Sequence, residues 1–185
     1  MKTCYDLILR YARDKEILDI GSCGNQGEEV KTKTLFSNLK KVAKSATGLD
    51  IESNTPEIIK GNAETIKLKK KFDLVTAGDV IEHIHNPGLF LDNMHAHLKE
   101  NGLLLLVTPN TKSPAYLFFK GNAYHTCWYC QHTLKYLVEQ HGFKVERIFI
   151  GLRRRKNFVH DLFRHCLANN LFFVCRKVEK SGKKA

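Results

Sequence analysis

Apolar positions along this chain fall into two kinds of pattern: short unbroken runs, and longer stretches in which they recur every three or four residues. The opening stretch, MKTCYDLILRYARDKE, puts Cys4, Leu7, Ile8 and Tyr11 on one side of a short amphipathic helix. Ile17, Leu18 and Ile20 surround Asp19 in a short buried strand that breaks into Gly21, Gly24 and Gly27. Glu28–Ala43 has the looser helical spacing of Val30, Leu35, Leu39 and Val42, with Glu28 and Glu29 where a helix dipole favours acids. Ser45–Ile51 is a second strand reaching Asp50, Glu57–Lys60 a third, and Phe72–Ala77 a fourth, with Asp79–His83 at its carboxyl end. Leu91, Met94 and Leu98 share one face of the next helix, which Asn101-Gly102 is expected to stop. Leu103–Thr108 is apolar at almost every position, as a strand covered on both faces should be. Thr133–His141 is a helix closed by Gly142, and Phe143–Ile150 and Leu171–Lys177 are two last strands flanking the basic stretch Leu152–Asn170.

Strand and helix alternate through most of this series, which predicts a doubly wound α/β sheet whose ligands sit beyond the carboxyl ends of the strands. Asp19 with Gly21, Asp50, Asn62 and Asp79 all fall near that edge. A glycine turn suits such a place, because a Cβ would obstruct close approach of backbone to ligand. A length of 185 residues, 43% of them hydrophobic and 26% charged, suits one domain, 1–185, with a core of its own. Within it, 110–131 is an irregular aromatic segment expected to cap the substrate, and 178–185 a basic tail. There is no apolar run of the ~20 residues that a membrane-spanning helix needs, and the first helix becomes charged too soon for a signal peptide.

A net charge of +11 favours anionic partners: nucleic acid, phosphorylated substrates or acidic headgroups. The basic residues are spread over Lys67–Lys71, Arg153–Lys156 and Lys180–Lys184, a pattern more typical of a solvated surface. Six cysteines without a secretion signal predict reduced thiols and a cytoplasmic setting. His125, Cys127, Cys130 and His132 have the spacing of a metal knot. Four ligands so crowded would strain a tetrahedron, so two half-buried thiols beside an aromatic cap are preferred to structural zinc.

Taken in order, ILDIGSCGNQG, GLDIE, GNAE, FDLVTAGDVIEH, LKENGLLLLVTPN and HTLKYLVEQHGF resemble the class I S-adenosylmethionine-dependent methyltransferases. The likeness is greatest to the small-molecule type that includes ubiquinone- and menaquinone-pathway enzymes, and it covers nearly the whole chain. It implies a Rossmann-like seven-stranded sheet, order 3-2-1-4-5-7-6 with strand 7 antiparallel, fitting the two late strands Phe143–Ile150 and Leu171–Lys177. It implies S-adenosyl-L-methionine as cofactor, S-adenosyl-L-homocysteine as product, and an oxygen or nitrogen of a small or lipid-linked molecule as acceptor. By the same likeness Asp19, Gly21, Ser22, Cys23 and Gly24 cradle the methionine part of the cofactor. Asp50, with Ile51 beside it, holds the ribose hydroxyls, Asn62 and Ala63 the adenine edge, and Gly78 and Asp79 the region below the sulfonium. A carboxylate suits Asp50's task because it accepts two hydrogen bonds at once. Asp50 also falls 23 residues after Gly27, close to the ~20 of a nucleotide-binding βαβ unit. Two positions depart from the family pattern: Cys23 stands where the second glycine is usual, and Asn62 where aspartate is commoner. A dehydrogenase fits less well, since G-x-G-x-x-G is not present as written.

Methyl transfer from a sulfonium is an in-line displacement in which alignment of the acceptor does most of the work. A general base is an addition to that, and His83 and His125 are the candidates. Asp79-Val-Ile-Glu82-His83 resembles the E-x-x-E-H element that binds a divalent ion in small-RNA 2′-O-methyltransferases and some quinone-pathway O-methyltransferases. His125 or His132 is then the later ligand. Because the same corner occurs in metal-free members, and Asp79 is a methylene shorter than glutamate, no residue is assigned to a metal. Tyr116, Phe118, Phe119, Tyr124, Trp128 and Tyr129 are expected to roof an apolar or ring-shaped acceptor, with a satellite core as the alternative. Arg153–Lys156, followed by Phe158, Leu162 and Phe163, reads as an amphipathic helix on the sheet edge with solvated arginines. Two other functions are carried forward: an RNA methyltransferase, from the charge and the D-x-x-E-H element, and a cofactor-binding domain that does not turn over.

Overall fold

Side-chain alternation along the strands sorts the apolar residues onto two faces, and among the described residues each face is covered by its own pair of helices. The protein's computed structural model describes residues 3–23, 35–113, 124–152 and 170–179. In chain order its elements are α1 (Cys4–Ala12), β1 (Glu16–Ile20), α2 (Leu35–Val42), β2 (Ser45–Asp50), β3 (Ile58–Lys60) and β4 (Phe72–Gly78). A 3₁₀ turn (Ile81–His83) and α3 (Pro87–His97) follow, then β5 (Leu98–Pro109), α4 (Gln131–Gln140), β6 (Phe143–Leu152) and β7 (Asn170–Lys177). Leu18 and Ile20 of β1, Val75 and Ala77 of β4, and Leu104 and Leu106 of β5 meet Phe90, Leu91 and Met94 of α3 and Leu134 and Val138 of α4. Their neighbours Ile17, Leu74, Leu103 and Leu105 face Cys4, Leu7 and Ile8 of α1 and Leu39 of α2. A period of two is what places consecutive residues on opposite faces.

The strands lie in the order β3-β2-β1-β4-β5-β7-β6, all parallel except β7, which pairs antiparallel with both β5 and β6. The order expected from the family likeness is the one found. From β1 the chain winds outward one way through β2 and β3, and then the other way from β4. The crevice of this sheet therefore opens above the carboxyl ends of β1 and β4. At the opposite edge Lys99 joins Glu16 and Asp73, at 2.7 and 2.9 Å, across the starts of β1, β4 and β5.

Several boundaries differ from the sequence reading for identifiable reasons. Asn101-Gly102 does not stop α3: the helix ends at His97, and Leu98 already leads into β5. Asn101 takes a left-handed conformation at φ 59° and the β4–β5 register shifts beside it, so the pair forms an irregularity within the strand. A Cβ at Gly102 would lie 2.9 Å from the Lys99 carbonyl oxygen, which is why a glycine stands there. Gly142, at φ 83°, follows α4 as expected. Helix α1 carries a capping box, with the Thr3 hydroxyl and the Asp6 carboxylate each accepting the other's backbone N–H. Gly24, Gly27, Glu28, Glu29, Val30, Tyr116, Phe118, Phe119, Arg153–Lys156, Phe158, Leu162, Phe163 and the tail from 180 lie outside the described residues.

Candidate functional site

Four segments meet the carboxyl-side crevice: the turn after β1, the end of β2, the loop after β3 and the end of β4. Gly21 leaves β1 at φ 76°, and its N–H donates to the Leu49 carbonyl at 2.9 Å, which bends the turn over β2. A Cβ on Gly21 would lie 2.7 Å from Val80 Cγ2. Asp19 is buried, and the Ser22 hydroxyl lies 3.0 Å from its carboxylate and 2.7 Å from its own backbone carbonyl. Asp50 is the last residue of β2; its Oδ2 accepts the Cys23 N–H at 2.9 Å and its Oδ1 the Glu52 N–H at 3.0 Å. Both oxygens are thus held by backbone donors, each with a lone pair to spare. Ile51 beside it is 61% exposed.

In the β3–β4 loop, Asn62 Oδ1 accepts the Glu64 N–H at 2.8 Å, and the Asn62 carbonyl accepts from Thr65 and Ile66. Its oxygen is committed to shaping the loop, so its amide hydrogens are what it offers a ligand. Ala63 is buried under this turn. At the end of β4, Gly78 has open space where a Cβ would stand. Asp79 is left-handed at φ 54°, a conformation that costs a non-glycine residue roughly 1–2 kcal/mol, and its N–H bonds the Val107 carbonyl at 2.8 Å.

Burial, with the charge of Asp50 added to it, pushes the Asp19 carboxyl up to about 7, against a smaller downward pull from the Ser22 hydroxyl. An unfolded carboxyl titrates near ~3.9, so the folded chain binds the extra proton between pH ~4 and ~7. Stability must then fall as pH rises through that window, with the full cost present above pH ~7. Asp19→Asn is therefore expected to stabilise the ligand-free protein by about 2–4 kcal/mol at pH 8. The gain should fade toward pH 4, as followed by thermal unfolding at a series of pH values.

Beside the crevice a second group forms at the strand-four corner. Glu82, only 2% exposed in the 3₁₀ turn, accepts the Thr108 hydroxyl on Oε2 at 2.9 Å. Its backbone carbonyl accepts the N–H groups of Thr126 (2.8 Å) and Cys127 (3.1 Å) and the Thr126 hydroxyl (3.1 Å). These bonds fasten the aromatic segment across the corner and bring the His125 ring to 4.8 Å from that of His83, edge to face. His83 Nδ1 lies 3.1 Å from the Tyr124 carbonyl. A carbonyl only accepts, so Nδ1 carries the hydrogen, which in the neutral ring leaves the lone pair on Nε2. Burial first, and the neighbouring His83 second, hold the His125 imidazole below its ordinary range. The ligand atoms of Glu82, His83 and His125 lie within 4.8 Å of one another, the donor set that could take a cation.

Glu82, Thr108, Thr111, His125, Trp128 and Tyr129 line a narrow cleft here, whose walls lie too close together to leave room for a water molecule. Tyr124 is 80% exposed, whereas Tyr129 is buried and burial pushes its hydroxyl upward. The described part of the expected lid is therefore divided between the cleft wall and solvent. Among the described residues the histidine–cysteine knot does not gather. Cys127 Sγ points to the Ile84 carbonyl at 3.8 Å, while Cys130 caps α4, where Thr133 lowers its thiol. The crowding that counted against zinc in the sequence is resolved by sending the two thiols to different partners. Sequence reasoning missed Thr108 and Thr126; a threonine that closes an apolar run and one inside an aromatic loop leave no periodic signal.

A family profile described as "Methyltransferase domain" matches residues 2–148. The ubiquinone biosynthesis O-methyltransferase of Rickettsia canadensis (strain McKiel) is 31% identical over 111 residues, covering 55% of this chain and 46% of that protein. The mitochondrial ubiquinone biosynthesis O-methyltransferase of Schizosaccharomyces pombe is 29% identical over 171 residues, covering 87% of this chain and 58% of the relative. The chain spans about half the length of the curated relatives it matches. Among solved structures, the Burkholderia thailandensis 1,6-didemethyltoxoflavin-N1-methyltransferase, with bound 1,6-didemethyltoxoflavin and S-adenosylhomocysteine, shares the fold. Its TM-score is 0.68 at 16% identity, over 95% of this chain and 77% of that one.

Proposed function

The chain belongs to the methyltransferase-domain family, and from that premise we propose that it transfers the methyl group of S-adenosylmethionine to an oxygen of a small or lipid-linked acceptor. The observation that carries this reading is Asp50, whose two oxygens are pinned by backbone N–H groups at the end of β2, next to the Gly21 turn. In this reading Asp50 takes the two ribose hydroxyls, with Ile51 lying against the adenosine. Asn62 donates its amide hydrogens to the adenine edge above Ala63. Asp19, Gly21, Ser22, Cys23 and Gly24 enclose the methionine end, and Gly78 and Asp79 border the sulfonium. The Asp19 carboxylate meets the ammonium group of the methionine end there, which the product keeps, so affinity for the product should rise with pH between 6 and 8 and lose that dependence in Asp19→Asn.

In this reading the acceptor enters beside Glu82, where Trp128 and Tyr129 form an aromatic wall that has to part to admit it, with segment 110–131 as its cap. Aromatic walls with a few polar groups favour a hydroxylated ring, and the relatives named for ubiquinone biosynthesis point the same way. His83 Nε2, in the neutral ring, takes the hydroxyl proton as the methyl group arrives, and the His125 ring lies against it. Most of the rate comes from alignment, worth up to ~7–11 kcal/mol in favourable cases, with a base adding ~10²–10⁴-fold. Glu82, His83 and His125 also supply a carboxylate and two imidazoles that would suit Zn²⁺ or Mn²⁺. An ion there would acidify an acceptor hydroxyl.

The RNA reading gains little from the described charge. Lys69–Lys71 and Lys99 lie at the amino ends of the strands, away from the cleft, and Lys112 stands exposed beside Thr111. Five described cysteines are free thiols, in keeping with a cytoplasmic setting. No helix among the described residues is long and apolar enough to cross a membrane. The test is label transfer from S-adenosylmethionine to a panel of hydroxylated aromatic acceptors. A labelled ring is expected, with His83→Gln lowering the rate roughly 10²-fold at pH 7 and leaving cofactor affinity unchanged. Saturable cofactor binding with no label on any acceptor would instead mark a domain that does not turn over.

A further inference from the structure

The loop proposed to read the adenine edge has no strand or helix of its own, and two side chains of α3 hold it in place. Asn93 Nδ2 donates to the Ala63 carbonyl at 2.9 Å and to the Ile66 carbonyl at 2.8 Å, closing both sides of the turn that begins at Asn62. One turn further along the helix, buried His97 accepts the Leu68 N–H on Nε2 at 2.9 Å. Because Nε2 accepts, the ring's hydrogen sits on Nδ1, which donates to the carbonyl of Asn93 at 2.8 Å. The two residues stand at i and i+4 on one helix face, so the backbone carbonyl of the first orients the ring of the second. At the other end the His85 N–H donates to Glu64 Oε1 at 3.1 Å. α3 itself is fixed on the sheet by Phe90, Leu91 and Met94. The loop thus borrows the rigidity of a packed helix.

From this juxtaposition we infer that Asn93 and His97 are positioning residues for the cofactor's base, fixing the 62–68 loop so that the chain selects adenine. The inference rests on the cofactor reading above and adds to it the origin of base selectivity. Neither side chain needs to touch the ligand. Asn93 sets the distance between the Ala63 and Ile66 carbonyls, and therefore where the Asn62 amide points. His97 fixes the exit of the loop toward β4.

The test compares two ligands differing only at the base, S-adenosylhomocysteine and S-inosylhomocysteine, titrated calorimetrically into wild type, Asn93→Ala, His97→Leu and His97→Gln. Wild type should prefer the adenine compound. Loss of one or two buried hydrogen bonds should shrink that preference roughly five- to tenfold in Asn93→Ala and His97→Leu. Glutamine can still accept the Leu68 N–H, so His97→Gln should keep the preference within about twofold. A merely structural role would lower the unfolding midpoint of the variants and leave the ratio of the two affinities unchanged, and that result overturns the inference while the cofactor reading stands. If Asn93→Ala does not fold, the leucine and glutamine variants at 97 carry the same comparison, and equal selectivity in those two overturns it. Failure of wild type to bind either compound removes the cofactor reading and the clamp with it.

Discussion

Asp50→Ala is expected to weaken S-adenosylhomocysteine binding by at least about 10²-fold. In the proposed pose the carboxylate accepts two ribose hydroxyls, and hydrogen bonds to a charged group contribute ~1.5–3 kcal/mol each. Two of them correspond to roughly 10²–10⁴ in affinity. The substitution also releases the Cys23 and Glu52 N–H groups that the carboxylate holds at 2.9 and 3.0 Å. Part of the loss therefore comes through a looser turn after β1. Asp50→Asn separates the two contributions, because it keeps one acceptor oxygen and should fall between wild type and alanine. Calorimetric titration of the folded variants measures this. An unchanged dissociation constant in folded Asp50→Ala would remove Asp50 from the site.

Gly21→Ala should cost about 2–5 kcal/mol of stability and abolish cofactor binding. A left-handed φ of 76° costs an L-residue roughly 1–2 kcal/mol, and overpacking typically adds ~1–3. Here the clash is with Val80 Cγ2, 2.7 Å from the new Cβ. Val80 lies in the chain leaving β4, so relief by moving it would shift the Asp79–His83 corner as well. Gly78→Ala makes the informative contrast. Its Cβ would meet nothing within 4 Å, so the protein should keep its unfolding midpoint. The added methyl group would then occupy space that the reading gives to the sulfonium end of the ligand, and affinity should drop without any loss of stability. Equal behaviour of the two variants, in either direction, would contradict this division between a turn glycine and a ligand-facing one.

Much of the sheet was legible because burial on both faces leaves local traces. Leu103–Val107 and Ile17, Leu18 and Ile20 are apolar for that reason, and Gly21 follows where the chain must turn. The strand order was not legible from spacing. It came from the ordered series of motifs, since period-two patterns say which face a residue lies on and not which neighbour its strand has. The Asn101-Gly102 pair misled because an Asn-Gly dipeptide suits both a helix end and a strand irregularity, and only the β4 register decides between them. The supports of the site were invisible for another reason. Thr108 reaches Glu82 across 26 positions, Asn93 reaches Ala63 across 30, and Thr126 reaches Glu82 across 44. A polar residue that finds its partner only after the chain has folded shows no periodicity in the sequence. Asp19, Asp50 and Asn62 could be named because the family likeness names them. Asn93 and His97 sit on the helix that the apolar face of Leu91 and Met94 had already defined, and nothing in that pattern distinguishes them from solvent-facing residues.

The crystal structure of the chain with S-adenosylhomocysteine is the most direct measurement of the central claim. The account predicts the ribose on Asp50, the adenine against Asn62 and Ala63, and the sulfur over Gly78 and facing the cleft beside Glu82 and His83. S-adenosylhomocysteine lodged elsewhere on the molecule, or a crevice above β1 and β4 closed by packed side chains in the complex, would contradict it.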